Sequence, residues 1–157
     1  MATNSDAYPG TLATPAQIRE LADAYCSAAH LLLGAGERRK PLTRAPFRLS
    51  AIHAIELYLN AFLLTHGRTA AEVRGLRHDL SARIELAVAA GLKLRVKTTD
   101  HLKSLHESRE YLVMRYGPEL AGTASQVNRL TATLEEIARK VTASMAPPHP
   151  AAGLDKP

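Results

Sequence analysis

Residues 47 to 67 read FRLSAIHAIELYLNAFLLTHG, a strongly apolar run that nevertheless carries His53, Glu56 and Asn60 in its interior. Its length and apolarity predict a buried helix, closed at Gly67 where glycine adopts a left-handed cap at little cost. Burying an imidazole, a carboxylate and an amide costs free energy unless each finds a partner. At about 100° per residue the three fall on one narrow strip, which Leu49 continues toward the start of the helix. The helix therefore carries a polar seam. That seam is either an internal hydrogen-bond network or the wall of a binding site.

The segments on either side are helical too. Thr14-Pro15-Ala16-Gln17 has the form of a capping box with proline in the first turn, and Ile18, Leu21, Tyr25, Ala28, Ala29 and Leu32 give the first helix its apolar face up to Gly34. Gly34-Ala35-Gly36 lacks the other residues of a phosphate loop and reads as a helix stop. A second capping box, Thr69 to Glu72, opens a short helix to Gly75, and Asp79 caps another that runs to Gly91. A fourth helix is expected from Thr99 or Asp100 through Leu102, Leu105 and Leu112 to Arg115, ending at Gly117-Pro118. Val127, Leu130, Leu134, Ile137, Val141 and Met145 define a fifth at three- and four-residue spacing. No alternating run bounded by hairpin turns suggests a strand. The expectation is an all-α antiparallel bundle of about five helices over residues 14–145, between flexible tails at 1–13 and 146–157.

A chain of 157 residues is expected to form one domain, long enough to bury roughly 70% of its unfolded surface without disulfides. The single cysteine, Cys26, has no partner for an internal bridge and sits in an alanine-rich apolar stretch, which suits a packed thiol in a reducing compartment. The first residues show no basic-then-apolar leader, and no run reaches the ~18–20 uninterrupted apolar residues of a membrane span. A cytoplasmic protein with no membrane partner is expected. Net charge is +5, and it is unevenly spread: Arg38, Arg39, Lys40, Arg44 and Arg48 face only Glu37, while Lys93, Arg95, Lys97 and Lys103 face only Asp100. Such clusters suit either a polyanion or an ordinary solvated surface. Tryptophan is absent, which argues against a stacking platform for single strands.

HAIELYLNAFLL at 53–64, His78-Asp79-Leu80, and REYLVMRYG at 109–117, in that order, resemble the HEPN superfamily over about residues 14–140. The resemblance implies a helical bundle that pairs as a homodimer and binds RNA or a nucleotide. It also implies a place in toxin–antitoxin or defence systems, with an antitoxin or a nucleotidyltransferase-like protein as partner. Many such proteins are metal-independent ribonucleases in which an arginine, four to six variable residues and a histidine lie late in the bundle. There histidine moves a proton and arginine stabilises phosphate charge. Arg109 matches that arginine, but Met114 stands where the histidine is due, followed by Arg115 and Tyr116. A thioether is neither an acid nor a base, so binding is expected rather than cleavage of the familiar kind.

Two substitutes for the missing pair exist in the sequence. Arg48 and His53 have the literal spacing but lie in the second helix, five positions apart and about 140° around it. His106 and Arg109 are one turn apart, neighbours on one face if the fourth helix is continuous. The expected site is thus a basic cleft in which Arg109 and Arg115 hold phosphate, with Tyr116, Arg48 and His53 contributing, and with Arg109 and His106 as the catalytic pair should cleavage occur. His78 and Asp79 read as a loop-to-helix start, Tyr111 as packing. No two histidines share metal-ligand spacing on a helix and no cysteine pair accompanies them, so neither a metal nor another cofactor is expected.

Overall fold

The computed structural model describes residues 7–147, and the chain is all-α, with no strand among the described residues. Seven α-helices follow in order: α1 (Pro15–Ala35), α2 (Ala45–Thr65), α3 (Ala70–Gly75), α4 (Leu80–Ala89), α5 (Val96–Glu107), α6 (Glu110–Tyr116) and α7 (Val127–Met145), with 3₁₀ turns at Pro41–Arg44 and Pro118–Thr123. Most of the expected C-terminal tail, and residues 1–6 of the N-terminal one, lie outside the described residues. Residues 7–13 form turns against α3, with the Arg74 guanidinium 4.9 Å from the Tyr8 ring centre and 3.3 Å from the Thr11 hydroxyl.

The local signals act where the sequence places them. Thr14 accepts from the Gln17 amide while the Gln17 side chain accepts from the Thr14 amide, and Thr69 and Glu72 repeat the arrangement on α3. Asp79 Oδ1 accepts from the Ala82 amide at 2.8 Å and starts α4. Gly67 and Gly91 hold φ of +91° and +104° after α2 and α4, where a side chain would be strained.

The apolar helix α2 is the centre of the bundle. Phe47, Ile55, Leu59 and Phe62 are among the residues it buries against the helices around it. Leu102 and Leu105 of α5 join that core, as do Leu130, Leu134 and Ile137 of α7. The α1–α2 pairing is antiparallel: the Tyr58 hydroxyl donates to Asp23 at 2.6 Å, and further on the Arg44 guanidinium donates to the Leu33 carbonyl at 2.9 Å. By length and composition α2 with its preceding turn would also pass for a membrane span, but 67% of that window is buried inside the chain. Its apolarity is that of a core helix.

Helix four is where the structure departs from the sequence pattern. In place of one helix to Arg115, α5 begins earlier, at Val96, and stops at Glu107; α6 restarts at Glu110. Between them Arg109 adopts φ 51°, ψ 39°, a left-handed conformation. The cause is long-range. Turning the chain there drives Glu110 inward, where its carboxylate meets the buried Arg48 guanidinium at 2.9 Å and accepts from the Ser125 amide at 3.2 Å. The early start of α5 has a similar origin: Glu136 of α7 accepts from the Arg95 amide at 3.0 Å and from the Thr98 hydroxyl, steadying a first turn that has no side-chain cap of its own.

A left-handed residue with a Cβ costs about 1–2 kcal/mol. Arg109→Gly is therefore expected to stabilise the protein by about 1 kcal/mol, part of the gain being offset by greater freedom in the unfolded chain. A lower urea midpoint for that variant would show that the arginine side chain, not the backbone, matters there.

Candidate functional site

The seam on α2 divides into a satisfied half and an open half. Asn60 Oδ1 accepts from Arg83 Nε at 2.8 Å, and Glu56 Oε1 lies 3.5 Å from Arg83 Nη2. Arg83 is 2% exposed. Its Nη1 donates to the backbone carbonyls of Asp79 and Leu76, at 3.1 and 3.5 Å. Burial pulls its pKa below the ordinary value, and Glu56 and Asp79 oppose that pull. The second oxygen of Glu56 lies 3.1 Å from His78 Nδ1. One carboxylate on α2 thus receives a buried guanidinium from α4 and an imidazole from the loop before it.

His53 belongs to the open half. It is half-buried, with its ring edge-on to Tyr25 of α1 at 4.5 Å between centres. Burial lowers its pKa, with Glu56 acting against the shift and His78 and Arg115 adding to it, so the imidazole is neutral at pH 7. In front of it opens a cleft of about 290 Å³ lined by Tyr25, His53, Glu56, His78, Tyr111 and Arg115, with Leu49, Ser50 and Ile52 as its α2 wall. The His78 and Tyr111 rings lie 4.9 Å apart, tilted by 38°. A neighbouring groove of about 670 Å³ shares His53, Glu56 and His78 and continues past Asn60 to Arg74 and the turns at Tyr8–Thr11.

The residues singled out in the sequence are dispersed. Arg115 lines the cleft opposite the seam; its guanidinium also lies 5.3 Å from the ring centre of Tyr116, which is 72% exposed and outside the cleft lining. Arg109, exposed at the break between α5 and α6, does not line this cleft. His106 turns toward Asp79, its Nδ1 3.5 Å from Oδ1 in a contact that makes no well-formed hydrogen bond. The expected His106–Arg109 pairing on one helix face fails because the helix ends between them. Arg48 is taken up by Glu110. It borders a separate groove of about 710 Å³ with Arg38 and Arg44, where Arg44 is held by the Leu33 carbonyl. Arg48 and His53 therefore form no joint site. Cys26 packs beside His30, 3.8 Å from Nδ1, and burial raises its thiol pKa.

Arg83, Tyr25 and the cleft-lining role of His78 were not read from the sequence. Arg83 left a signal: it falls among Leu80, Ile84 and Ala87 on the buried stripe of α4, a core position where an arginine must have a partner. Tyr25 and His78 left no signal of a place in the cleft, since only the packing of α1, and of the loop before α4, on α2 brings their rings beside the seam.

Chemically the cleft offers a cation without a carboxylate partner among the described residues, two tyrosine rings, and two imidazoles in unlike surroundings. That set can hold a phosphate, pack an aromatic ring and exchange protons. Comparison with protein families, with curated proteins and with solved structures gives no match for this chain.

Proposed function

We propose that the chain is a HEPN-like bundle that binds ribonucleotide phosphate in this cleft, as RNA or as a free nucleotide, and acts as a homodimer. The observation that carries the reading is the convergence of Tyr25, His53, His78, Tyr111 and Arg115 from four parts of the chain onto one cleft. Arg115 supplies the phosphate contact and the tyrosines supply ring surfaces for a base. The net charge of +5 favours encounter with a polyanion. Arg109, Arg48 and Tyr116 have no direct part in this version of the site.

The test is binding of a labelled oligoribonucleotide at two salt concentrations, with Arg115→Ala and Tyr111→Ala beside the wild type. Each variant is expected to weaken binding by about tenfold, the scale of one charged hydrogen bond or one stacked base. Affinity should fall steeply with salt. Competition by a mononucleotide identifies the free ligand as the occupant; its failure identifies RNA. Sedimentation of the same protein reads the dimer. Binding insensitive to both salt and the two substitutions would overturn the assignment of the cleft.

A further inference from the structure

We propose that the groove lined by Arg38, Arg44 and Arg48 is a second binding site, for a small free anion with a compact oxyanion head, a phosphate or a carboxylate. It shares no lining residue with the α2 cleft and stands independently of the reading given to that cleft. At about 710 Å³ it has the size of a small-molecule pocket. No aromatic side chain lines it, so a base would find no ring to stack on. Leu33, Val127 and Ala132 add apolar wall beside the arginines instead.

The guanidinium groups are held in place with donors left over. Arg48 is 8% exposed, and it gives Nη1 to Glu110 at 2.9 Å, leaving Nε and Nη2 without a partner among the described residues. Arg44 donates Nη1 to the Leu33 carbonyl at 2.9 Å, at the end of α1, and makes no other hydrogen bond among the described residues. Arg38 makes no ion pair among them. The loop joining Arg38 to Arg44 is pinned by Thr43, whose hydroxyl accepts from the Glu37 amide and donates to the Lys40 carbonyl, both at 2.7 Å. Guanidinium groups fixed in advance grip an oxyanion through paired N–H groups, with little ordering left to do on binding.

Two further features point the same way. Gly36 lies against Arg44: a methyl group there would stand 2.5 Å from Arg44 Cδ and 2.9 Å from Nε, so only glycine leaves that side chain where it is. With φ at −81° the backbone of Gly36 would suit any residue, and space rather than torsion calls for glycine. The start of α7 also opens on the groove, through Val127 and Asn128, with no side-chain cap and no acidic residue in its first turn. Its amides add to the positive field of the arginines. The carboxylates nearby have partners: Glu110 has Arg48 and Ser125, and Glu135, also in the lining, has His30 Nε2 3.6 Å away.

The experiment is calorimetric titration of the full chain with inorganic phosphate and with succinate, each against sodium chloride of equal ionic strength. Saturable binding of at least one is expected, and which of them binds identifies the head group. Arg38→Gln and Arg44→Gln are each expected to lower the affinity by about tenfold, the scale of one charge-assisted hydrogen bond. Gly36→Ala should lower it as much without removing a charge, whereas Arg139→Gln, on the C-terminal half of α7, removes a charge and leaves it unchanged. Should loss of the Leu33 contact unfold Arg44→Gln, the exposed Arg38 supplies a variant that keeps the fold. Heats equal to those of chloride, or binding indifferent to Arg38→Gln and Gly36→Ala, overturn the inference. Binding that survives those two substitutions and disappears in Arg115→Ala puts the anion in the α2 cleft, which overturns this inference and leaves the cleft assignment standing. Phosphate binding lost in Arg38→Gln, from a protein that binds no RNA, supports this inference while overturning that of the cleft.

Discussion

Glu110→Ala is expected to destabilise the protein by about 3–5 kcal/mol, the cost of leaving a buried cation without its partner. Arg48 and Glu110 are 8% and 3% exposed, and the pair closes at 2.9 Å. The same carboxylate accepts from the Ser125 amide and hydroxyl, at 3.2 and 3.3 Å, so it ties α2, α6 and the approach to α7 together. Urea denaturation of Glu110→Ala, Arg48→Met and the Arg48→Met, Glu110→Leu double variant measures the coupling. The double variant should be more stable than Glu110→Ala, because an apolar pair leaves no charge unpaired. Purely additive losses would show that the two side chains act independently. Since α6 also carries Tyr111 and Arg115, loosening its first residue should weaken ligand binding along with stability.

The packing of α5 on α7 is expected to fail in two stages as pH falls. His101 is fully buried, with Nδ1 2.7 Å from the Thr133 hydroxyl and Nε2 without a hydrogen-bond partner. Burial, and then the charges of Arg129 and Arg48, lower its pKa from 6.5 to about 4. The folded state thus holds this histidine neutral while the unfolded chain takes up a proton. Its contribution is whole above pH 6.5 and is lost as pH falls from there to about 4. Glu136 behaves alike in a lower range. Burial works against its charge, but Lys140 at 2.7 Å, the Thr98 hydroxyl and the Arg95 amide outweigh that and bring its pKa from 4.5 to about 2. Its contribution is whole above pH 4.5 and is lost as pH falls through about 2.

Each shift corresponds to about 3 kcal/mol. Denaturation midpoints between pH 7.5 and 3 should show His101→Leu flattening the upper stage and Glu136→Gln flattening the lower one. Glu136→Gln should also be less stable than the wild type at pH 7, having lost the ionic contact to Lys140. A midpoint unchanged between pH 7 and 4 would mean that His101 titrates as it does in the unfolded chain.

Most of the secondary structure was legible because its causes are local. A threonine with a glutamine or glutamate three residues on, an aspartate before an apolar stripe, or a glycine after one acts through atoms within a single turn of chain. The periodic leucines and valines of α7 likewise name their own buried face. What these signals could not show is where a remote partner overrules them. The stretch from Asp100 to Arg115 reads as one amphipathic helix, and no glycine or proline interrupts it. It breaks because Arg48, more than fifty residues away, draws Glu110 into the core.

The candidate site divides in the same way. That α2 is buried and that His53, Glu56 and Asn60 share one face could be read from residue order alone, because helical periodicity fixes directions within an element. What that face meets depends on how the helices pack. Arg83 takes Asn60 and one side of Glu56 into the framework, His78 takes the other side, and Arg115 rather than Arg109 closes the cleft in front of His53. Those outcomes depend on how helices distant in sequence lie across one another, and on which buried charge finds which partner. Both are set by the free energy of the whole packed core, in which no local pattern carries the deciding share.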